Sequence, residues 1–318
     1  MSSLLEYAVI GGGIAGVTIT HHLAERSRHS PSSIALFEKS RRLGGRASMI
    51  PISQEAVAPL GVSECSINRQ QVTSSILFKK LMMIDNTDHL QAELDITLPT
   101  SLWEEAQSAL ESLDPISLHL SHTITKITLS GDKRWLIDGE RWVKGKKQSF
   151  NSSAKRLIIT CPTPQTTSLL RTAVQNSTSE VTSCLTPLID TLSRVTFTPR
   201  WCTLIKTQSS LSALRSIPND LVEKIAHTSQ PDIFVVHSSA QWSEHHLESD
   251  STEVSASLRE MISEYTSRPI EIIRVHRWRY AGGQRESDHS DLYWPTLGLG
   301  LCGDMLVRGT FERGVQRA

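Results

Sequence analysis

Residues 11–16, near the N-terminus, have the types and spacing of a phosphate-binding turn. The segment Gly11-Gly12-Gly13-Ile14-Ala15-Gly16 follows a short apolar run and precedes a helical pattern. In such a turn the first glycine permits a tight bend, the second lets the backbone approach a pyrophosphate, and the third allows close packing of helix on strand. Backbone N–H groups at the start of the helix can hold phosphate oxygens. The segment predicts a dinucleotide site; a glycine-rich structural turn is the alternative.

Glu38 supplies an acidic side chain where a dinucleotide site requires one. It follows the apolar segment Ile34–Phe37 and lies 22 positions after Gly16. A carboxylate at the end of this second strand accepts hydrogen bonds from ribose hydroxyls. The alternative is a surface glutamate beside Lys39.

A second glycine motif, Gly44-Gly45-Arg46, follows after a short gap. Two glycines allow the backbone to approach another part of the same cofactor. The arginine offers a rigid fork of donors for phosphate. We therefore expect Gly44, Gly45 and Arg46 to belong to the same site.

The C-terminal end contributes a third candidate group. Gly303 and Asp304 follow the apolar strand predicted at Leu297–Cys302, and Thr310 and Phe311 can open a helix. The expectation is that this strand end faces the same cofactor. A structural aspartate at a strand-to-loop junction is the alternative.

His276 and Trp278 are the candidate substrate-contacting residues. They share one face of a strand predicted at Ile270–Trp278, because side chains alternate along a strand. If that face lines a pocket, the imidazole can orient a polar substrate and the indole can stack on a planar ring. The alternatives are a hydrogen-bonded sheet histidine and a core tryptophan.

Composition excludes several classes of protein. Thirty-three basic and thirty-three acidic residues among 318 cancel, so no net field favours nucleic acid or an anionic membrane. The five cysteines form no Cys-x-x-Cys pair, which argues against disulfides or structural zinc and favours a reducing, cytoplasmic compartment. No uncharged apolar stretch reaches the length of a membrane span, so neither a span nor a signal peptide is expected. Adjacent histidines lack completing carboxylates, so we predict no metal. Oligomeric state is not predicted.

Hydrophobic periodicity predicts an α/β chain that begins with a βαβ unit. That unit comprises a strand at Tyr7–Ile10, a helix at Ala15–Ser27 and a strand at Ile34–Phe37. Further strands are expected at Ile116–Leu120, Ile124–Leu129, Trp135–Ile137, Arg156–Thr160, Trp201–Lys206 and Ile233–Ser238. Helices are expected at Leu102–Leu113, within 171–194 and at Val254–Tyr265, and Val72–Met83 reads as helix or strand.

Together, Gly11-x-Gly13-x-x-Gly16, Glu38 and Gly44-Gly45-Arg46 resemble the extended N-terminal fingerprint of FAD-dependent amine oxidases and their relatives. Ile124–Ile127 with Trp135 resembles the strand pair that holds the adenine, and residues 158–165 resemble a strand ending in Pro-x-Pro-Gln. With residues 275–281, the chain resembles the renalase family and its bacterial members over the first fifty residues, about 116–170 and 230–318.

The resemblance implies FAD as cofactor. It implies a hydride taken from a small reduced substrate and passed to O2 with formation of H2O2; the substrate would be a dihydronicotinamide nucleotide, or less well an amine. The cofactor contacts it implies, together with those reasoned above, are Gly11, Gly13, Ile14, Ala15, Gly16, Glu38, Lys39, Gly44, Gly45, Arg46, Ile124, Cys161, Pro162, Gly303, Asp304, Thr310 and Phe311.

The sequence departs from these relatives at two places. They continue into an Asp-x-Gly-Ala-Gln motif beside the flavin, whereas Ala58–Val62 occupies that region without the Asp or the Gln. The chain also stops at Ala318, within the expected final helix. An FAD-binding protein without turnover is therefore a second hypothesis. A third, an NAD(P)-dependent dehydrogenase, is disfavoured by Arg46 and Asp304.

The expected architecture is a doubly wound, Rossmann-like FAD-binding domain with a mixed α+β substrate domain. We expect the FAD-binding domain to comprise 1–50, 116–170 and 285–318. The substrate domain would comprise 51–115 and 171–284.

Overall fold

The computed structural model describes residues 4–27, 33–53, 56–62, 64–67, 94–114, 116–284 and 293–303. It divides into two compact units. The first comprises Met1–Gly45, Cys65–Thr196 and Gln284–Ala318, and the second comprises Arg46–Glu64 and Phe197–Gly283. Each unit has its own sheet and its own buried core.

In the described residues the strands, in chain order, are β1 (Leu5–Ile10), β2 (Ile34–Phe37), β3 (Met49–Pro51), β4 (Val57–Pro59), β5 (Glu64–Ile67), β6 (Leu94–Thr97), β7 (Ile116–His119), β8 (His122–Leu129), β9 (Trp135–Val143), β10 (Lys146–Ile159), β11 (Thr196–Lys206), β12 (Val222–His227), β13 (Ile233–Ser238), β14 (Glu271–Gln284), β15 (Tyr293–Trp294) and β16 (Leu299–Leu301). The helices are α1 (Ile14–Arg26), α2 (Leu102–Glu111), α3 (Thr163–Val174), α4 (Ser179–Ser193), α5 (Leu211–Leu214), α6 (Ala240–His245) and α7 (Ser251–Ser263), with a short 3-10 helix at Gly45–Ala47.

The first unit is built on the Rossmann-like parallel sheet that the sequence predicts. Its strand order is β15-β16-β10-β1-β2-β7, and the five strands from β16 to β7 run parallel. Every residue of Ile34–Phe37 is buried, as expected for a strand in the middle of a parallel sheet. The predicted α/β fold class and the opening βαβ unit are confirmed.

Strand β10 is longer than predicted and takes part in two kinds of pairing. From Lys146 to Ala154 it pairs antiparallel with β9, and from Ala154 to Ile159 it pairs parallel with β1. The sequence predicts only Arg156–Thr160, because the preceding residues are mostly polar and exposed and show no apolar alternation. Strand β8 pairs with β9 and completes this antiparallel extension.

The division into units differs from the predicted domains at three places. Residues 171–196 fall in the first unit, because α4 packs on α3 in its core. Residues 94–114 also belong there, since α2 packs on β7 and α1. Residues 46–50 fall in the second unit, where β3 pairs with β4. The predicted helix or strand at Val72–Met83 lies outside the described residues.

The second unit has a four-stranded sheet in the order β12-β13-β11-β14. Helix α7 begins with a capping box between Asp250 and Glu253 and buries its apolar face on one side of the sheet. Ala58 and Leu60 pack with Leu204 of β11 in a second cluster of buried apolar residues. The helix predicted at Val254–Tyr265 is confirmed, because α7 overlaps it and the two ends of the helix differ from the prediction by about one turn or less. Within the residues described here, no helix is long and apolar enough to cross a membrane.

Candidate functional site

The carboxyl ends of the parallel strands in the first unit meet at one edge of the sheet, which is where open α/β sheets bind ligands. Gly11 follows β1, Glu38 follows β2, and Cys161 comes just after β10. Gly303 comes two residues after β16. The structure therefore brings Gly303, the described residue of the predicted C-terminal half, to the same edge as Gly11 and Glu38.

The glycine turn has one crowded position and one open one. Gly11 has φ +110°, which a glycine adopts without strain. A Cβ built on Gly16 would lie 1.8 Å from the carbonyl oxygen of Gly11, so only glycine allows α1 to pack this closely. At Gly13, which precedes the first residue of α1, a Cβ would meet no atom of the described residues within 4 Å. The space beside Gly13 is therefore open, which fits the approach of a pyrophosphate.

Glu38 is buried and its carboxylate holds two backbone segments. Oε2 accepts a 2.6 Å hydrogen bond from the N–H of Gly12, and Oε1 accepts a 2.7 Å bond from the N–H of Ser40. Each carboxylate oxygen has two lone pairs, so the group retains acceptor capacity for a ribose hydroxyl. The neighbouring Lys39 is exposed.

Gly44 and Gly45 pack directly on the glycine turn. The N–H of Gly44 donates to the carbonyl of Gly12 at 2.8 Å, and a Cβ on Gly45 would lie 3.2 Å from the Cα of Gly13. The short segment thus adjoins the open position at Gly13, as its predicted role requires.

Arg46 is the first residue of the second unit. Its Nη1 donates to the carbonyl oxygens of Ala281 at 3.0 Å and Tyr280 at 3.4 Å, both on β14. The guanidinium therefore fastens the start of this unit to β14. Its contact with a phosphate stays a prediction.

Gly303 lies against the start of α1. A Cβ on Gly303 would be 3.6 Å from Cβ of Ala15 and 3.7 Å from the carbonyl oxygen of Thr160. The N–H of Cys302 donates a 3.0 Å hydrogen bond to the carbonyl oxygen of Ile159, which keeps the end of β16 in register with β10. The predicted contacts Asp304, Thr310 and Phe311 lie outside the described residues.

Two threonines near the end of β10 were missed by sequence reasoning. Oγ1 of Thr160 lies 3.0 Å from the carbonyl oxygens of both Ile10 and Gly11, so it ties β10 to the glycine turn. Thr163, the first residue of α3, is buried, and its hydroxyl has no hydrogen-bond partner among the described residues. A buried hydroxyl without a partner is unusual and marks a place for a further polar group. The signal that was available was their position at a strand end.

Cys161 and Pro162, which are predicted cofactor contacts, follow the end of β10, and their contact with a cofactor stays a prediction. Burial, and next the negative charge of Glu38, raise the pKa of the Cys161 thiol to about 12. The thiol is therefore protonated at neutral pH and is not a nucleophile. Pro162 is the residue before the first turn of α3.

Ile124 lies on β8 opposite Gly139 of β9. Its side chain is partly buried and packs against the core of the first unit. Its contact with an adenine stays a prediction.

His276 and Trp278 contact each other on β14. Their ring centroids are 4.2 Å apart at an interplanar angle of 65°, an edge-to-face arrangement. The indole Nε1 of Trp278 donates a 2.7 Å hydrogen bond to the carbonyl oxygen of Leu60. This fixes the indole against Leu60-Gly61, the segment that replaces the motif expected there.

Gly61 packs closely against the backbone of Arg46 and the side chain of Trp278 in the second unit. A Cβ on Gly61 would lie 1.9 Å from the carbonyl oxygen of Arg46 and 3.3 Å from Nε1 of Trp278. The same Arg46 oxygen accepts a 2.9 Å bond from the N–H of Val62. Residues on three separate segments are thus joined at the position of the expected Asp-x-Gly-Ala-Gln motif.

Cys202 and His237 are paired across β11 and β13. The Cys202 sulfur lies 3.7 Å from Nδ1 of His237. Burial raises the pKa of this thiol to about 12, with a smaller opposing effect from the positive charge of Arg200, so the pair is not a nucleophilic dyad. In the described part of the chain no three His, Cys, Asp or Glu side chains come together as a metal site. The expectation of no metal stays a prediction.

Comparison with known proteins agrees with this geometry. Residues 9–65 match the family model of the NAD(P)-binding Rossmann-like domain. A protein named as a candidate protoporphyrinogen oxidase, from Exiguobacterium sp. 255-15, is similar over 100% of this chain and 97% of its own, with 13% identity and a TM-score of 0.61. An oxidoreductase from Methanosarcina mazei is similar over 98% of each chain, with 10% identity and a TM-score of 0.58.

A flavin-dependent monooxygenase solved with FAD and substrate is also similar. The likeness covers 99% of this chain and 56% of that one, with 11% identity and a TM-score of 0.53. At such identities the likeness shows the fold. The chain has a fold that flavin-dependent oxidoreductases share, and its N-terminal glycine turn lies within the residues that match the Rossmann-like domain model.

Proposed function

We propose that this protein binds FAD and is an FAD-dependent oxidoreductase. One observation carries the proposal: the turn at Gly11–Gly16, Glu38, Gly44-Gly45 and Gly303 gather at one edge of the sheet of the first unit, and no atom of the described residues lies within 4 Å of a Cβ built on Gly13. The fold shared with a flavin enzyme solved with FAD supports it.

The residues divide the task of holding the cofactor. The N–H groups at the start of α1 would hold the pyrophosphate, and the space beside Gly13 would admit it. Glu38 would accept a hydrogen bond from a ribose hydroxyl. Gly303, with Asp304 after it, would supply the contacts from the C-terminal strand end.

The reaction proposed is an oxidase reaction of the renalase type. FAD, when bound, would accept a hydride from a small reduced substrate and pass the electrons to O2, with formation of H2O2. His276 and Trp278 would orient a planar substrate, because an imidazole offers a hydrogen bond and an indole offers a stacking face. A dihydronicotinamide nucleotide fits this chemistry, and an amine is the less favoured substrate.

An absorption spectrum of the purified protein tests the proposal. We expect a yellow protein whose flavin bands bleach when a dihydronicotinamide isomer is added without oxygen and return in air with formation of peroxide. Colourless protein that does not take up added FAD would contradict the cofactor. A hydroxylated product in place of peroxide would contradict the oxidase reaction and indicate a monooxygenase.

FAD binding without turnover is the second candidate function. The observation in its favour is the segment Ala58–Val62, which lacks the acid and amide of the expected motif. Its backbone is also occupied by contacts with Trp278 and Arg46. Bound FAD that no dihydronicotinamide or amine reduces would favour this candidate, and rapid peroxide formation would exclude it.

A further inference from the structure

The backbone groups of two histidines form hydrogen bonds with the backbone N–H and carbonyl oxygen of Glu38. The N–H of Glu38 donates to the carbonyl oxygen of His119, and the N–H of His122 donates to the carbonyl oxygen of Glu38, both at 2.9 Å. The residue whose carboxylate holds the glycine turn is therefore positioned by the segment that connects β7 to β8.

The side chains of these histidines belong to a cluster of four rings, Phe37, His119, His122 and Phe150, which we call the ring cluster. Phe37, directly before Glu38, stacks on His119 at 4.8 Å and on Phe150 at 5.8 Å between ring centroids. The ring of His122 meets His119 edge-on at 5.2 Å and Phe150 at 4.8 Å. Each histidine thus touches the other and is linked through packed rings to the residue before Glu38.

The hydrogen bonds of the ring cluster suit two neutral imidazoles. Nδ1 of His122 donates to the carbonyl oxygen of Leu120 at 2.7 Å, since a carbonyl can only accept. The hydroxyl of Ser117 donates to the carbonyl oxygen of Ile34, so Nε2 of His119, 3.2 Å from that hydroxyl, is its donor. One nitrogen of each ring is therefore left to take up a proton.

The charges that face the ring cluster oppose that proton. Arg141 on β9 is the register partner of His122, and Glu140 beside it is neutralised by Lys147 of β10 at 2.8 Å. Directly after β2, Lys39 is exposed and each oxygen of the Glu38 carboxylate accepts a hydrogen bond from a backbone N–H group. Two protonated rings 5.2 Å apart beside Arg141 would repel each other.

Burial, followed by the charges of His122 and Arg141, lowers the pKa of His119 below its usual 6.5. A base whose pKa is lower in the folded than in the unfolded protein contributes its full stability above the unfolded value of 6.5. That contribution is lost as the pH falls from there towards the folded pKa.

We propose that the His119–His122 pair holds Glu38 in position to bind the nucleotide. Protonation of the pair releases Glu38 from that position, so that FAD is held tightly at neutral pH and weakly in acid. The inference rests on the proposed function, because it concerns regulation of the same site. It assigns a role to two residues that the cofactor contacts do not include.

The affinity for FAD, measured by flavin fluorescence in the full-length protein, tests the proposal. For the wild type we expect the dissociation constant to rise about fivefold or more between about pH 7.5 and about pH 5.5. In the double variant His119→Gln with His122→Gln the rise should shrink to about twofold or less. His227→Gln is the matched control, because His227 also lies 4.8 Å from a phenylalanine ring, that of Phe234, but in the second unit. Equal pH dependence in the double variant and this control would overturn the proposal.

Three further measurements keep the proposal testable if the double variant fails to fold or if FAD does not bind. His122→Gln alone removes the imidazole that meets His119 at 5.2 Å between ring centroids and should reduce the pH dependence by itself. Nuclear magnetic resonance titration of the imidazoles in the protein without FAD should show His119 titrating below 6.5; a value at or above 6.5 would overturn the proposal. If FAD does not bind at neutral pH, the proposed function is contradicted. Thermal stability then tests the pair by itself: on acidification the wild type should lose more thermal stability than His122→Gln, and an equal loss would overturn the role of the pair.

Discussion

The backbone N–H of Gly12 donates a 2.6 Å hydrogen bond to Oε2 of Glu38. The residue that ends the second strand thus holds the turn that follows the first strand. The acceptor proposed for the ribose and the loop proposed for the pyrophosphate are therefore one hydrogen-bonded assembly, and a change in either should affect both.

Replacing Glu38 by Gln should weaken FAD binding. The amide keeps the shape but loses the charge that strengthens the bonds from Gly12 and Ser40, and one of its two ends can no longer accept. We expect affinity for FAD to fall about tenfold or more, measured by fluorescence titration. The control is Glu140→Gln, which breaks an exposed ion pair with Lys147 and should leave the affinity unchanged. Equal affinities in the two variants would argue against Glu38 as a cofactor ligand.

Alanine at Gly13 and alanine at Gly16 should fail in different ways. At Gly13 a methyl group meets no atom of the part of the chain that the structure describes within 4 Å, so the variant should fold normally but lose FAD affinity because the open space is filled. At Gly16 the methyl group would collide with the Gly11 carbonyl, so the free energy of unfolding should fall by about 1–3 kcal/mol or more. Thermal unfolding and FAD titration of both variants separate the effects. Full FAD binding by Gly13→Ala would show that the cofactor does not approach here.

Alanine at Gly61 should destabilise the second unit. The added methyl group would lie 1.9 Å from the Arg46 carbonyl and would disturb its bond from Val62. The expected loss is about 1–3 kcal/mol in the free energy of unfolding. Gly131→Ala is the matched control, because among the described residues no atom lies within 4 Å of its Cβ, and it should change stability by less than about 0.5 kcal/mol. If Gly61→Ala and Gly131→Ala have the same denaturation midpoint, the segment at Gly61 accommodates the methyl group without loss of stability.

The cysteines should differ sharply in reactivity. Burial raises the pKa of Cys161, Cys202 and Cys302 to about 12 in each case, so their reactive thiolate is scarce near pH 8. Cys184 is exposed. Brief alkylation of the native protein followed by peptide mass spectrometry should label Cys184 and leave the two buried thiols, Cys202 and Cys302, unmodified until the protein is denatured. Fast labelling of Cys202 in the native protein would contradict its burial beside His237.

Local pattern was sufficient for much of the nucleotide-binding unit. Strand Ile34–Phe37 is predicted to the residue, because an uninterrupted apolar run ending at Glu38 has few other interpretations in a βαβ unit. Helix α7 was predictable for a similar reason, since its buried residues recur at helical spacing. The gathering of Gly11, Glu38 and Gly303 follows from parallel strands ending at one edge.

Other features depend on contacts that local pattern does not encode. Strand β12 was not predicted, because its mixed residues Val222–His227 show no clear alternation and it is stabilised by pairing with β13. The place of α4 in the first unit is set by its packing on α3, which composition does not reveal. The ring cluster was missed because Phe37, His119 and Phe150 are far apart in sequence and meet only in the folded sheet.

The double pairing of β10 also limits how this protein can be engineered. A cut at Lys144-Gly145, in the turn before β10, would leave β8 and β9 on one fragment and β10 on the other. The second fragment would then carry the strand that must insert between β1 and β16. Split-protein or domain-transplant designs at this turn therefore separate the β8–β9 hairpin from the strand that anchors it, and neither fragment keeps a complete sheet.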